Sequence, residues 1–582
     1  MAKTPSARLF ILFALAVVAT LVVVLGSQFL GRFSLNVLTR SMIYAMLAVT
    51  VDLLWGFAGI LTFGQAAFFG IGAYATAMVL THLGATPSLF VLAFALALLV
   101  PVIVGFAVGW LSFYHGSTPL YATVISLVFP IVVTQLVFSG GEWTGSSSGL
   151  VGYDTLPFSL AGYFQLAGIC LVVVSLGALL LARSETGKLL AAIRDNETRL
   201  GYLGVNTARI KIVLMAVLAG VCGLAGFLYA NASGVVAPEN TGFVFGTELV
   251  IWTALGGRGT ILGPVLGTIA IDYLSASLSG DLPFLWQLIV GALFVAMIIF
   301  LPKGLASLVT RFLPKSGRRM RLLTAPHAAK SAASGDVLLS IEGLGKSYGS
   351  LAVLTGIDLK VAPGELVSLV GPNGAGKTTM MRCLSDGTEP IAGRITIADK
   401  DVAGLPPERI VALGVGRKFQ IASIFDSLTV GDCLRMARLR RKPAALLTEE
   451  AALELPKAAA EILNLTGLAG APDRPVSLLS HGQRQALELA MVVCLEPSLI
   501  LLDEPTAGLT KTERTTIGVI LRKLTKELRF AAILVEHDLD FVREISSRIV
   551  VLHQGKLVLD GTVDEVVNSE TVRTIYSGGA HA

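Results

Sequence analysis

Apolar and polar positions are distributed unevenly along the chain, and the distribution divides it in two. Before residue 303, apolar runs follow one another near 9–30, 41–60, 62–81, 88–111, 119–138, 160–182, 210–230, 246–257, 260–279 and 284–301. A helix needs about 20 apolar residues to cross a bilayer, so about ten membrane spans are expected. The run Leu9–Leu25 follows Lys3 and Arg8 as in a signal peptide, but it is long, lacks a clear cleavage signal and precedes further spans. It reads as a first membrane helix. In the second half the apolar runs are short: Leu366–Val370, Leu499–Leu502 and Ala531–Val535 read as buried strands, and Met380–Leu384 as part of a helix.

Loop charge sets an orientation. Arg183, Lys188, Arg194, Arg199, Arg209 and Lys211 share one loop, whereas Ser139–Ser159 holds only Glu142 and Asp154. The basic loop is expected in the cytoplasm and the acidic one outside. Counting outward places both chain ends in the cytoplasm, but it puts Arg32 and Arg40 outside. Leu61–Leu80 is therefore a candidate re-entrant segment, and the short run 246–257 a candidate broken span. Within the basic loop, Ser184–Gly204 has a mixed-charge helical pattern ended by Gly201 and Gly204. It reads as a solvated amphipathic segment or as a coupling helix that carries motion to the membrane domain from the soluble half.

Glycines concentrate at Gly56, Gly59, Gly64, Gly70 and Gly72, and again at Gly220, Gly223 and Gly226, where they allow close helix packing or an unwound helix along a substrate path. Glu248, Arg258 and Asp272 fall near spans, where ionisable groups are costly; they are loop positions or pathway residues.

Composition supports the division. The 582 residues exceed one ordinary core, and 54% hydrophobic residues against 15% charged is too apolar for a wholly soluble protein. The net charge of +5 gives no global sign of nucleic-acid binding, and the five cysteines form no metal spacing. From Lys303 to Lys330 seven basic residues occur with no acidic one, so 306–336 is expected to be an irregular cytoplasmic linker close to anionic lipid. It lacks the interleaved aromatic residues of a nucleic-acid-binding segment.

The chemistry lies in the second half. Gly371-Pro372-Asn373-Gly374-Ala375-Gly376-Lys377-Thr378-Thr379 joins an apolar strand to a helix start. Its glycines let backbone N–H groups converge on a phosphate, Lys377 supplies a charge for the β and γ phosphates, and the Thr378 hydroxyl is a candidate ligand for Mg²⁺. This is the Walker A phosphate loop, and it implies ATP and Mg²⁺. Leu499-Ile500-Leu501-Leu502-Asp503-Glu504-Pro505 delivers two carboxylates to the end of a buried strand, where α/β sheets place their chemistry. Asp503 is the candidate Mg²⁺ ligand and Glu504 the candidate general base for the attacking water.

Other stretches carry a resemblance to known families. Asp52–Gly59, Ala67–Tyr74, Ala192–Glu197 and Trp252–Thr260 resemble the permeases of branched-chain amino acid importers, a family that includes urea and short-chain amide permeases. The second half resembles an ATP-binding-cassette (ABC) ATPase. The resemblance implies that Tyr348 stacks on adenine, that Gln420 touches Mg²⁺ and the attacking water, and that His537 is the switch histidine. It also implies that Ser480, Gly482 and Gln483, in Leu479–Gln485, contact the γ-phosphate bound by an opposite subunit. His481 stands where the family's signature has a second glycine, and Ala507-Gly508-Leu509-Thr510 replaces a loop that usually carries Asp.

The expected architecture is an all-α polytopic membrane domain over 1–305, the linker 306–336, and an α/β P-loop ABC ATPase domain over 337–582. The resemblance implies a fused permease and ATPase of an importer for branched-chain or related amino acids in a bacterial inner membrane, with a urea or amide importer as alternative. An ABC half-transporter exporter fits less well, because the loops are short. A membrane-anchored ATPase without transport fits less well, because the spans are many. The expected partners are a second permease and a second ATPase or a second copy of the chain, an external substrate-binding protein and membrane lipid, with no nucleic acid.

Overall fold

A computed structural model describes residues 5–114, 119–281, 285–300, 304–306, 320–324, 337–446, 448, 452–528 and 530–576. Two compact units emerge, and they do not follow a single cut in the chain. One holds residues 1–194, 207–316 and 445–449; the other holds 195–206, 317–444 and 450–582.

Each apolar run expected to be a span forms a helix. In order these are α1 (Pro5–Gly26), α2 (Arg32–Asp52), α3 (Gln65–His82), α4 (Pro87–Phe113), α5 (Pro119–Ser139) and α6 (Leu160–Ala182). Past α7 (Glu185–Gly201) come α8 (Thr207–Ser233), α9 (Phe243–Gly256), α10 (Leu262–Asp281) and α11 (Trp286–Phe300). Among the described residues six are long and apolar enough to cross a membrane, and α9 is shorter. In α2 the most apolar window is 89% buried, against 22% in α4, so α2 is the centre of the bundle and α4 its outer wall.

One expectation is corrected in this unit. Arg32 and Arg40 do not lie in an outer loop: both belong to α2, which continues as a π-helical turn over Leu53–Phe57. The charge on Arg40 is tolerated because its guanidinium pairs with Asp272 of α10, Nη2 to Oδ1, at 3.0 Å. Within the candidate re-entrant stretch Leu61–Leu80, Leu61–Gly64 is non-helical and the rest belongs to α3. Close packing accounts for the second glycine group: a Cβ on Gly223 would lie 2.0 Å from Ala97 O in α4.

The other unit is an α/β domain. Its main sheet runs β14-β13-β6-β12-β11-β9, comprising Lys556–Gly561, Arg548–His553, Leu366–Val370, Ala531–Val535, Leu499–Asp503 and Val415–Lys418. The pairings are parallel except β13 with β14, an antiparallel hairpin at the edge. β6, β11 and β12 are buried at every position, as uninterrupted apolar runs require when helices cover both faces. A second, antiparallel sheet has the order β5-β4-β7-β8, comprising Leu351–Val361, Leu339–Tyr348, Ala392–Ile397 and Lys400–Asp401. Part of the expected linker is ordered here: Arg321–Thr324 forms β3, parallel to Ala452–Leu455, and Met320 N donates to Asp473 at 3.0 Å. Most of the remaining linker lies outside the described residues.

Candidate active site

The phosphate loop leaves β6 through Gly371, whose φ is +150° and whose Cβ, if present, would sit 2.0 Å from Leu552 O. Gly376, at φ +100°, starts the helix Lys377–Ser385. Both positions demand the freedom that glycine alone supplies. The Lys377 ammonium donates to Gly371 O at 2.7 Å and Pro372 O at 3.0 Å, on the inner side of the loop. Burial pulls its pKa down, and the attraction of Glu504 and Asp503 opposes that shift. Thr378 is exposed in the first turn of the helix, with Thr379 beside it half-buried. Asn373 and Gly374 are exposed at the tip of the loop, and Ala375 is buried.

The second strand ending arrives beside it. Asp503 is buried, and its Oδ1 has no hydrogen-bond partner among the described residues. Burial pushes its carboxyl pKa up, against the pull of Arg417. Glu504 sits at φ +43°, held there by its N–H donating to Val535 O at 2.9 Å. A non-glycine residue in this region costs roughly 1–3 kcal/mol of backbone strain, and the turn after β11 aims the carboxylate. Gln420 Nε2 donates to Glu504 Oε2 at 2.8 Å, and His537 Nε2 lies 2.9 Å from Oε1. Two residues far apart in sequence, Gln420 and His537, therefore meet on one carboxylate. Tyr348, expected against adenine, is 46% exposed at the end of β4, with the Lys346 ammonium 4.9 Å from its ring centroid.

Ser480 caps the helix His481–Cys494: its hydroxyl accepts from Gln483 N, and Gln483 Oε1 accepts from Ser480 N. This reciprocal cap fixes the N-terminus that the sequence marks for phosphate contact. A Cβ on Gly482 would fall 2.1 Å from Glu513 Oε1, so a larger residue there would have to displace the end of the Glu513 side chain. Ser480, Gly482 and Gln483 line a cleft of about 300 Å³ with Leu509, Thr512 and Glu513, and no phosphate-loop residue lines it. His481 Nε2 lies 3.3 Å from Ala507 O. The unusual signature residue thus touches the loop that lacks the usual Asp.

A charged cluster in the same unit escaped the sequence reading. Helix α7 is kinked at Asn196 (φ −160°, ψ 84°), and the part after the kink belongs with the ATPase. Asn196 Oδ1 accepts from Arg199 N at 3.0 Å while its Nδ2 donates to Ser423 at 2.9 Å, and Asp195 accepts from Ser427 N at 2.7 Å. Arg199 is wholly buried. Its Nη1 donates to Arg417 O at 2.8 Å and lies 3.4 Å from Oε1 of Glu488, which is equally buried on the signature helix. Phe419 N donates to the same Oε1 at 3.2 Å, and Lys418 Nζ is 3.9 Å from Oε2. Burial pushes Glu488 up and pulls Lys418 down, while their attraction opposes both shifts. One signal was readable: Glu488 interrupts the otherwise apolar run Ala486–Cys494.

Comparison with known proteins identifies a family for each half of the chain. Residues 33–298 match the family described as branched-chain amino acid transport system / permease component, and residues 354–507 match the ABC transporter family. The chain is 34% identical over 254 residues to the high-affinity branched-chain amino acid transport ATP-binding protein BraF of Pseudomonas aeruginosa, covering 42% of this chain and 98% of BraF. It is 34% identical over 251 residues to LivG of Escherichia coli, a protein of the same description, with the same coverage. Among solved structures, cbiO1 from Clostridium perfringens, part of an ABC transporter complex, is 28% identical with a TM-score of 0.35, covering 41% of this chain and 93% of its own. The chain belongs to the ABC transporter family, as a multi-pass permease of the branched-chain amino acid transport type fused to an ABC ATPase that binds and hydrolyses ATP.

Proposed function

We propose that the protein is the permease and ATPase subunit of an importer that uses ATP to move branched-chain or related amino acids across a bacterial inner membrane. The observation that carries the ATPase part is Glu504, held by Gln420 on one carboxylate oxygen and by His537 on the other, beyond the strand that ends in Asp503. In this reading the phosphate loop Gly371–Thr379 grips the β and γ phosphates and Tyr348 faces the adenine. Glu504 takes a proton from water as that water attacks the γ-phosphorus and the bond to the departing ADP oxygen breaks. Gln420 and His537 orient the base and the water.

The donor set also suits Mg²⁺. The buried Asp503 Oδ1 without a partner is an atom that a cation would satisfy, and the Thr378 hydroxyl and the Gln420 amide complete a hard oxygen set. When bound, the ion neutralises charge on the β and γ phosphate oxygens.

The separation of the Ser480 cleft from the phosphate loop supports a composite site, in which the Ser480, Gly482 and Gln483 backbone meets the γ-phosphate held by another ATPase. The partners are a second permease and ATPase, or a second copy of this chain, together with an external substrate-binding protein. The names of BraF and LivG support branched-chain amino acids as the substrate class. Uptake of labelled leucine, glutamate and urea into proteoliposomes containing the complex and its binding protein tests this. Leucine uptake is expected, and uptake of urea alone would overturn the substrate reading in favour of the amide branch.

A further inference from the structure

The permease contains a charged cluster that ATP chemistry does not use. Arg40 of α2 donates to Asp272 of α10 through Nη2 at 3.0 Å and Nε at 3.4 Å, and the Ser41 hydroxyl donates to the same carboxylate at 2.6 Å. Asp272 is buried and fully engaged. Arg40 is not: its side chain is 41% exposed, and Nη1 makes no hydrogen bond among the described residues. Glu248 of α9 stands within electrostatic range of both, is exposed, and makes no hydrogen bond or ion pair among the described residues. The pair Arg40–Asp272 is neutral, so Glu248 leaves one net negative charge.

Depth follows from helix rise. One end of the bundle is marked by Asp52, whose carboxylate accepts from Ile261 N at 2.9 Å, and by Arg194, which donates to Gly56 O at 2.8 Å. At about 1.5 Å per residue, Arg40 lies about 18 Å along α2 from Asp52, Asp272 about 16 Å along α10 from Ile261, and Glu248 about 12 Å along α9 from its end at Gly256. The hydrocarbon core is about 30 Å thick, so all three stand near its middle. A solvent-open carboxylate and guanidinium cannot face lipid at that depth at tolerable cost; such groups line water-filled paths. The wall beside them is aromatic: the ring of Tyr44 lies 6.0 Å from the Arg40 guanidinium, 4.8 Å from Phe245 and 6.0 Å from Trp252, centroid to centroid.

We infer that Glu248 and Arg40 form a mid-membrane station for the charged head of a zwitterionic amino acid, with Glu248 receiving the ammonium and Arg40 Nη1 the carboxylate. This rests on the importer reading and narrows it. A neutral amide such as urea would leave the Glu248 charge uncompensated, whereas an α-amino acid neutralises it. Asp272 is a positioning residue, holding the guanidinium edge-on.

The test uses the assembled complex in proteoliposomes. Glu248→Gln is expected to lower leucine uptake at least ten-fold while ATP hydrolysis without substrate stays within two-fold of the unsubstituted protein, and Glu248→Asp to restore part of the uptake. Glu248→Cys is expected to react with a charged, water-soluble thiol reagent and to be protected by leucine. Leucine uptake by Glu248→Gln at the unsubstituted rate would overturn the inference and leave the importer reading intact, as would a Glu248→Cys thiol that the reagent cannot reach. Absence of uptake of any amino acid by the unsubstituted complex would instead overturn the importer reading, and this inference with it.

Discussion

Replacing Arg199 with Met keeps the length and apolar stem of the side chain but removes the guanidinium from a fully buried cluster. The buried Glu488 carboxylate then keeps the Phe419 N–H at 3.2 Å, the Lys418 ammonium at 3.9 Å and the Ser423 backbone as supports. Breaking a buried ion pair from one side costs about 3–5 kcal/mol. These remaining partners place this case at the lower end, about 3 kcal/mol. For a domain of this size each kcal/mol shifts the midpoint by about 2–4 °C, so the ATPase transition of Arg199→Met is expected roughly 6–12 °C below the unsubstituted one. The assay is thermal unfolding of the full chain in detergent, repeated for Glu488→Gln and for the double substitution. Because the carboxylate is the group left stranded, the double variant is expected to melt above Arg199→Met. If Arg199→Met melts within a degree of the unsubstituted protein, or if the two substitutions add without coupling, the buried pair does not hold α7 to the signature helix and the reasoning fails.

Glu504→Gln is expected to reduce steady-state ATP hydrolysis at least 100-fold with ATP binding preserved, since the amide keeps the shape but cannot accept the proton; turnover at the unsubstituted rate would refute the assignment. Lys377→Ala should instead weaken nucleotide binding itself, read by equilibrium titration with a fluorescent ATP analogue. Ala192→Pro, which breaks α7 before its kink, should abolish uptake while leaving ATP hydrolysis largely intact, and normal uptake would remove its coupling role. Glu389 has its pKa lowered by the hydrogen bond from Lys346 at 2.7 Å, with Arg382 adding to the effect. Its contribution to stability is therefore present above its ordinary pKa and lost as pH falls through the lower folded value. Glu389→Gln should flatten the acid limb of a stability profile below about pH 4.5, and an unchanged limb would count against the pairing.

Local pattern revealed the elements whose residues carry their own signal. The phosphate loop was legible because glycines at fixed spacing follow an apolar strand, and Glu504 because two acids end a run that is otherwise buried. The membrane helices were legible because lipid demands long apolar runs. What sequence could not supply was pairing across distance. Arg40 reads as a loop residue until Asp272 is seen beside it, since a lone arginine in a span is costly and only its partner explains it. Arg199 reads as one more charge on a solvated helix; its burial depends on Glu488, far along the chain. The strand Arg321–Thr324 hides in a basic stretch because its partner among the described residues, Ala452–Leu455, lies far along the chain. The meeting of Gln420 and His537 on Glu504 could be expected only from the family resemblance, and the geometry supplies the physical reason: each amide or imidazole N–H has one carboxylate oxygen to itself.

The most direct test of ATP-driven transport measures leucine accumulation and phosphate release in the same vesicles, with the binding protein on one side and ATP on the other. Accumulation above the external concentration is expected only with ATP, and both signals are expected to vanish together in Glu504→Gln. Accumulation that persists in Glu504→Gln, or that needs no ATP, would contradict the account.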